Sequence, residues 1–155
     1  MPKRIDLQAV PVHRGSAYPA PFDLPCAARA RQRLGAAAGL SDFGVNLMRL
    51  NPGAWSSQRH WHLAEDEFVF IVEGEVVLVT DTGEETLKAG DSAGFKAGVK
   101  DGHHLQNRSQ RDAVILEVGS RKSDDEGEYS DIDMRFTSKG PSSFEHKDGT
   151  PYPQR

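Results

Sequence analysis

From residue 43 onward the chain alternates short apolar runs with turn residues. FGVNLMRL (43–50), FVFIV (68–72), EVVLVT (75–80) and AVILEV (113–118) are rich in β-branched and aromatic side chains and predict strands. SSQRHWH (56–62), ETLKAGD (85–91), SAGF (92–95) and HHLQN (103–107) continue the series as extended candidates. Pro52-Gly53, Glu73-Gly74 and Asp81-Thr82-Gly83 punctuate it. About seven or eight short strands, with turn signals roughly every 8–12 residues, predict an antiparallel sandwich or barrel. Phe68 and Phe70 alternate with Val69 and Ile71, so both faces of that strand are apolar. The pattern suits a barrel interior on one side and a subunit interface on the other.

The flanks read differently. Residues 1–42 form an N-terminal arm, interrupted by Pro11, Pro19, Pro21 and Pro25. Within it, AARARQRLGAAA (27–38) favours a helix, or one or two short turns, with Gly39 as the stop. Residues 121–155 are polar again, with Asp124-Asp125-Glu126, Asp131-Ile132-Asp133 and a Gly/Ser/Pro-rich stretch at 138–143. They predict an irregular C-terminal extension that packs on the barrel, residues 43–120, or on a partner subunit.

Composition narrows the class. With 155 residues the chain is one ordinary domain. The single Cys26 excludes an internal disulfide framework and any CxxC site. A net charge of −4 argues against a nucleic-acid binder, and the basic ARARQR segment is short and has no helix-turn-helix beside it. No apolar run approaches the length of a membrane span, and the N-terminus lacks a signal-peptide core, so a cytoplasmic protein is expected.

The candidate chemistry lies at His60-Trp61-His62. On a strand, residues i and i+2 share a face about 6.6–7 Å apart, so both imidazoles project together and Trp61 points away. Such a pair either makes ordinary hydrogen bonds or chelates one ion. Glu67 follows where the next strand begins, with Glu65 and Asp66 as competitors. His103-His104 supplies a third imidazole. Three nitrogens and one carboxylate suit Fe, Mn, Ni, Cu, Co or Zn. Gln58 shares the parity of His60 and is a candidate substrate contact; Asn107 either hydrogen-bonds within the site or ends its strand.

The turn framework strengthens the metal reading. Gly53, His60, His62, Glu67 and Gly74 follow one another as G-x6-H-x-H-x4-E-x6-G; downstream come Gly90, Phe95, Lys96-Ala97-Gly98, His103 and Asn107. This resembles the two-motif signature of the cupin superfamily. One extra position separates Gly53 from His60, Lys96 stands where the family has proline, and the step from Gly98 to His103 is two residues longer. SSQRHWH, EDEF, GHHLQNRS and LEVGSR also resemble a group of small single-domain bacterial cupins of the conserved-barrel type. The resemblance implies an all-β double-stranded β-helix, or jelly roll, of two antiparallel sheets. It implies His60, His62, Glu67 and His103 as ligands of one divalent transition metal (Fe, Mn, Zn or Ni), with His104 the weaker alternative to His103. It also implies a homodimer. Functionally it implies a metal-dependent enzyme acting on a small polar metabolite, as an oxygenase, isomerase or lyase. A non-catalytic binding or sensory module is the alternative, and a structural barrel with an idle site comes third.

Overall fold

The computed structural model describes residues 4–138 and 144–153, so most of the Gly/Ser/Pro-rich stretch at 138–143 lies outside the described residues. The strands are β1 (Val12–Arg14), β2 (Arg29–Arg33), β3 (Phe43–Leu50), β4 (His60–His62), β5 (Glu67–Glu73), β6 (Glu75–Thr80), β7 (Gly83–Lys88), β8 (Ser92–Phe95), β9 (His104–Gln106), β10 (Ala113–Ser120), β11 (Glu126–Tyr129), β12 (Arg135–Thr137) and β13 (Phe144–Glu145). One wall is a six-stranded sheet in the order β1-β2-β3-β10-β5-β8. The other combines β7-β6-β9 with β13-β12-β11-β4, linked by an antiparallel bridge between His60 and His103. The fold is mostly β, an antiparallel jelly-roll barrel.

Alternate residues of the two walls meet in the core. Met48 and Leu50 of β3, Val69 and Ile71 of β5 and Ile115 of β10 pack against Val76 and Leu78 of β6, Leu87 of β7 and Leu105 of β9. Burying such a side chain stabilises the fold by about 1.5–3 kcal/mol. Phe68 and Phe70 face outward, 42% and 38% exposed. The β5–β6 hairpin turns at Gly74, whose φ is 79°. A Cβ there would also fall 2.6 Å from the Asp112 carbonyl oxygen, so the turn requires glycine.

Of the helix or short turns expected over 27–38, one short helix forms and most of the rest is strand. Arg29–Arg33 is strand β2, in register with β3 from Arg29 opposite Leu50 to Arg33 opposite Asn46. Only Leu34–Ala37 make a helical turn, which Gly39 ends at a φ of 74°. Helix propensities differ by only about 0.7 kcal/mol per ordinary residue, and pairing along the edge of β3 outweighs them. The arm adds β1 beyond β2 and two single 3-10 turns, Leu7–Ala9 and Leu24–Cys26.

Within the C-terminal extension, three short strands are set in otherwise irregular chain, and β11 pairs with β4. Tyr129 and Met134 of the extension bury against Tyr18 and Cys26 of the arm, with Phe136 and Phe144 packed on them. The two flanks thus share a second apolar cluster beside the barrel.

Candidate metal centre

Strand β4 is three residues long and is held on both edges. On one side Tyr129 lies opposite His60 and Gly127 opposite His62. On the other, His60 and His103 exchange both backbone hydrogen bonds, at 3.2 and 2.9 Å. Strand alternation brings the His60 and His62 rings within 5.0 Å of each other, and the direct cross-strand position puts His103 4.9 Å from His60. Glu67 approaches from the opposite wall. Its Oε2 lies 2.6 Å from His103 Nε2 and 3.6 Å from His60 Nε2, and its Oε1 lies 3.3 Å from His62 Nε2. Three Nε2 atoms therefore surround one carboxylate.

The rings are oriented from behind. His60 Nδ1 donates to the Gln58 carbonyl oxygen at 2.8 Å, which turns Nε2 toward Glu67. His62 Nδ1 donates to Asp125 Oδ2 at 2.6 Å. The buried Asp125 is itself fixed, because its Oδ1 accepts from the Ala64 and Glu65 backbone N–H groups at 2.9 and 3.2 Å. Phe95 stacks on His103 at 3.6 Å with 4° between the planes. Partners of this kind fix the ring orientation and basicity of metal-binding histidines.

The electrostatics follow. Burial alone would push the Glu67 carboxyl up, but the hydrogen bond with His103 and the nearby His60 and His62 rings outweigh it and hold the group well below the usual carboxylate range. Burial likewise disfavours a charged His62, yet Glu67 and Asp125 together raise it to about 9. His103 is lowered, chiefly by burial. His62 therefore carries its proton at neutral pH when no ion competes for Nε2, and an incoming cation must displace it. Metal affinity is expected to rise with pH up to about 9, by about tenfold per unit for one released proton. Competition titrations between roughly pH 6.5 and 8.5 check this against the slope a single proton gives; a flat response would mean that His62 starts out neutral.

The donor set fits a borderline first-row divalent ion. Donor atoms of His60, His62 and Glu67 lie within 4.8 Å of one another, close enough to share one cation. His104 and Asp66 are engaged elsewhere. His104 points the other way, with Nδ1 donating to the Ser57 carbonyl and its ring 4.7 Å from Trp55. Asp66 accepts from Lys96 and the Ala97 N–H; Glu65 accepts from the Lys122 N–H with one oxygen, and its other lies 4.0 Å from His62 Nδ1, where with Asp125 it forms a second group close enough to share an ion.

The two candidate substrate contacts make hydrogen bonds within the fold. The Gln58 carboxamide donates to the Phe22 carbonyl oxygen at 2.7 Å and ties down the arm. Its parity with His60 does not hold because the strand begins only at His60. Asn107 is buried and braces its turn, donating to the Leu50 and Arg111 carbonyls and accepting from Ser109. The residues that do line the cavity of about 270 Å³ beside His60, Glu67 and His103 include Tyr18, Arg31 and Glu117. Sequence reasoning missed Arg29, Arg31, Glu117 and Asp125. The period-two spacing of Arg29, Arg31 and Arg33 was the available signal for the first two.

Gly127 lets the extension close over the rings. A Cβ there would meet the Trp61 carbonyl oxygen at 2.0 Å and Phe136 Cζ at 2.5 Å, and Phe136 stands 4.9 Å from the His62 ring. Gly127→Ala is expected to cost about 1–3 kcal/mol by overpacking. Denaturant unfolding, with metal uptake measured on the same sample, checks it; an unchanged midpoint would contradict the tight packing.

A two-walled antiparallel barrel with imidazoles and a carboxylate turned into one cavity defines the double-stranded β-helix class. Residues 46–119 match the Cupin domain family, and the chain belongs to the cupin superfamily. It is similar to a sugar phosphate isomerase of that superfamily from Silicibacter pomeroyi, with 44% identity, a TM-score of 0.91 and 97% of each chain covered. It is also similar to a protein from Acidithiobacillus ferrooxidans provisionally described as a sugar phosphate isomerase, with 28% identity, a TM-score of 0.67 and coverage of 70% of this chain and 69% of that one. A predicted oxalate decarboxylase from Thermotoga maritima shares 25% identity at a TM-score of 0.53, over 61% of this chain and 81% of that one. No curated protein matches the chain. Among the described residues, no helix is long and apolar enough to cross a membrane.

Proposed function

We propose that this chain is a metal-dependent isomerase of phosphorylated sugars, with His60, His62, Glu67 and His103 holding one divalent transition ion (Fe, Mn, Zn or Ni). The observation that carries the reading is the convergence of these four side chains beside a polar cavity that His60, Glu67 and His103 line. The chain that presents them is 44% identical over nearly its whole length to a sugar phosphate isomerase. When bound, such an ion supplies a Lewis acid for a carbonyl or hydroxyl oxygen. The protein's part is to present three oriented nitrogens and one negative charge. The Gln58 carbonyl and Asp125 keep the His60 and His62 rings turned inward, and Phe95 covers one face of His103.

The test is a metal assay by mass spectrometry together with incubation of aldose and ketose phosphates in deuterated water. One ion per chain, interconversion of an aldose and a ketose phosphate, and deuterium at the carbon next to the carbonyl are expected. All three should be lost in His103→Ala. Full metal loading with no exchange from any phosphorylated sugar would overturn the isomerase and leave a binding module.

A further inference from the structure

The cavity beside Glu67 is positive in a chain whose net charge is −4. Arg29, Arg31 and Arg121 line it, against Glu67 and Glu117, and Glu67 is committed to the imidazoles. Arg29 is only 8% exposed, yet its hydrogen bonds run to backbone oxygens. Nε and Nη2 donate to the Gly15 carbonyl at 3.1 and 2.6 Å, and Nη1 donates to the Ser56 carbonyl at 2.5 Å. Carbonyls satisfy the donors but do not cancel the charge.

Arg31 projects from the same face of β2, two residues on. Its Nε and Nη2 grip Glu117 in a two-pronged pair at 2.6 and 3.0 Å. Of the two guanidinium groups, only that of Arg31 is paired with a carboxylate; Arg29 is held by carbonyls. The mutual repulsion of the two guanidinium groups adds to burial in lowering Arg29. A fork of guanidinium donors in a half-closed cavity is the geometry that receives phosphate or carboxylate oxygens.

We propose that Arg29 and Arg31 form an anion subsite for the dianionic phosphate of the substrate, with Glu117 as a resident counter-ion that holds Arg31 in place until the phosphate arrives. The inference rests on the phosphorylated-sugar reading and locates the charged end of that substrate within the cavity. Arg121 brings a third guanidinium to the same lining. It lies against Gly44, where a Cβ would fall 2.1 Å from its Nη2. Because Glu117 competes with the ligand for Arg31, the two residues act with opposite sign. Removing the carboxylate charge should strengthen anion binding, and removing the guanidinium should weaken it.

The experiment is calorimetric titration of the full chain with inorganic phosphate at low ionic strength. It uses the metal-loaded protein and the chelator-treated, metal-free protein in parallel. The metal-free protein is expected to bind phosphate. Glu117→Gln should tighten that binding at least threefold, and Arg31→Met should weaken it at least tenfold, with the metal content of both variants unchanged. Acetate, run as a parallel arm, is expected to bind at least tenfold more weakly than phosphate. If Arg31→Met fails to fold, Arg31→Lys, which keeps the charge but loses the fork, is expected to bind phosphate at least threefold more weakly than wild type.

Phosphate affinity that is absent in the metal-free wild type, equal in wild type and the Arg31 variant, or shifted in the same direction by both substitutions would overturn the subsite. Acetate binding as tight as phosphate would overturn the assignment to phosphate. Failure of the metal-centre reading shows separately, as absent metal uptake, and leaves the titration of the metal-free protein intact.

Discussion

Glu67→Ala is expected to reduce the metal content of the protein from one ion per chain to background while the barrel still folds. Among the described residues, Glu67 is the carboxylate that lies near all three Nε2 atoms, at 2.6, 3.3 and 3.6 Å. Without it a divalent ion would lose the one carboxylate that faces all three nitrogens in a partly buried site, where charge is expensive. The fold should survive. Glu67 stands at the first position of β5, and the backbone pairing of β5 with β8 and β10 does not use its side chain. Metal analysis beside a circular-dichroism melt checks this; a variant that loads metal as wild type does would sink the assignment.

Asp125→Asn is expected to lower metal affinity by about 10–100-fold with little change in fold. As a carboxylate, Asp125 accepts from His62 Nδ1 with one oxygen and from the Ala64 and Glu65 N–H groups with the other. Asparagine offers one acceptor oxygen and one NH2 group, so it can serve the ring or the loop but not both. Either choice removes the negative charge that favours a basic, correctly turned His62. Competition against a chromophoric chelator measures the effect. Unchanged affinity would mean that Asp125 only clamps the loop at residues 64–65.

Much of this was legible in the sequence because the signals were local. The β-branched runs at 43–50, 68–72 and 75–80 became strands with nearly the expected bounds. The i, i+2 spacing of His60 and His62 put both rings on one face. The parts that were not legible depended on partners distant in the chain. Arg29–Arg33 looks helical by itself and is a strand because the edge of β3 is open to it. Gln58 seemed to share a face with His60, but regular alternation starts only at His60. Asp125 reads as one acid in a polar run, and only the pairing of β11 with β4 carries it to His62. Arg31 and Glu117 lie 86 residues apart, and nothing in either local segment announces their pairing.

The dependence of β4 on β11 also sets an order of events during synthesis. His60, His62 and Glu67 leave the ribosome early, but the carboxylate that orients His62 follows 63 residues after it. The six-stranded wall is complete in sequence once β10 ends at Ser120, whereas the histidine strand gains its second edge only when Glu126–Tyr129 emerge. A chain shorter than this carries His60 and His62 on a strand that lacks its β11 edge. The arrangement that orients the His62 ring is therefore available only once the chain has grown through Tyr129.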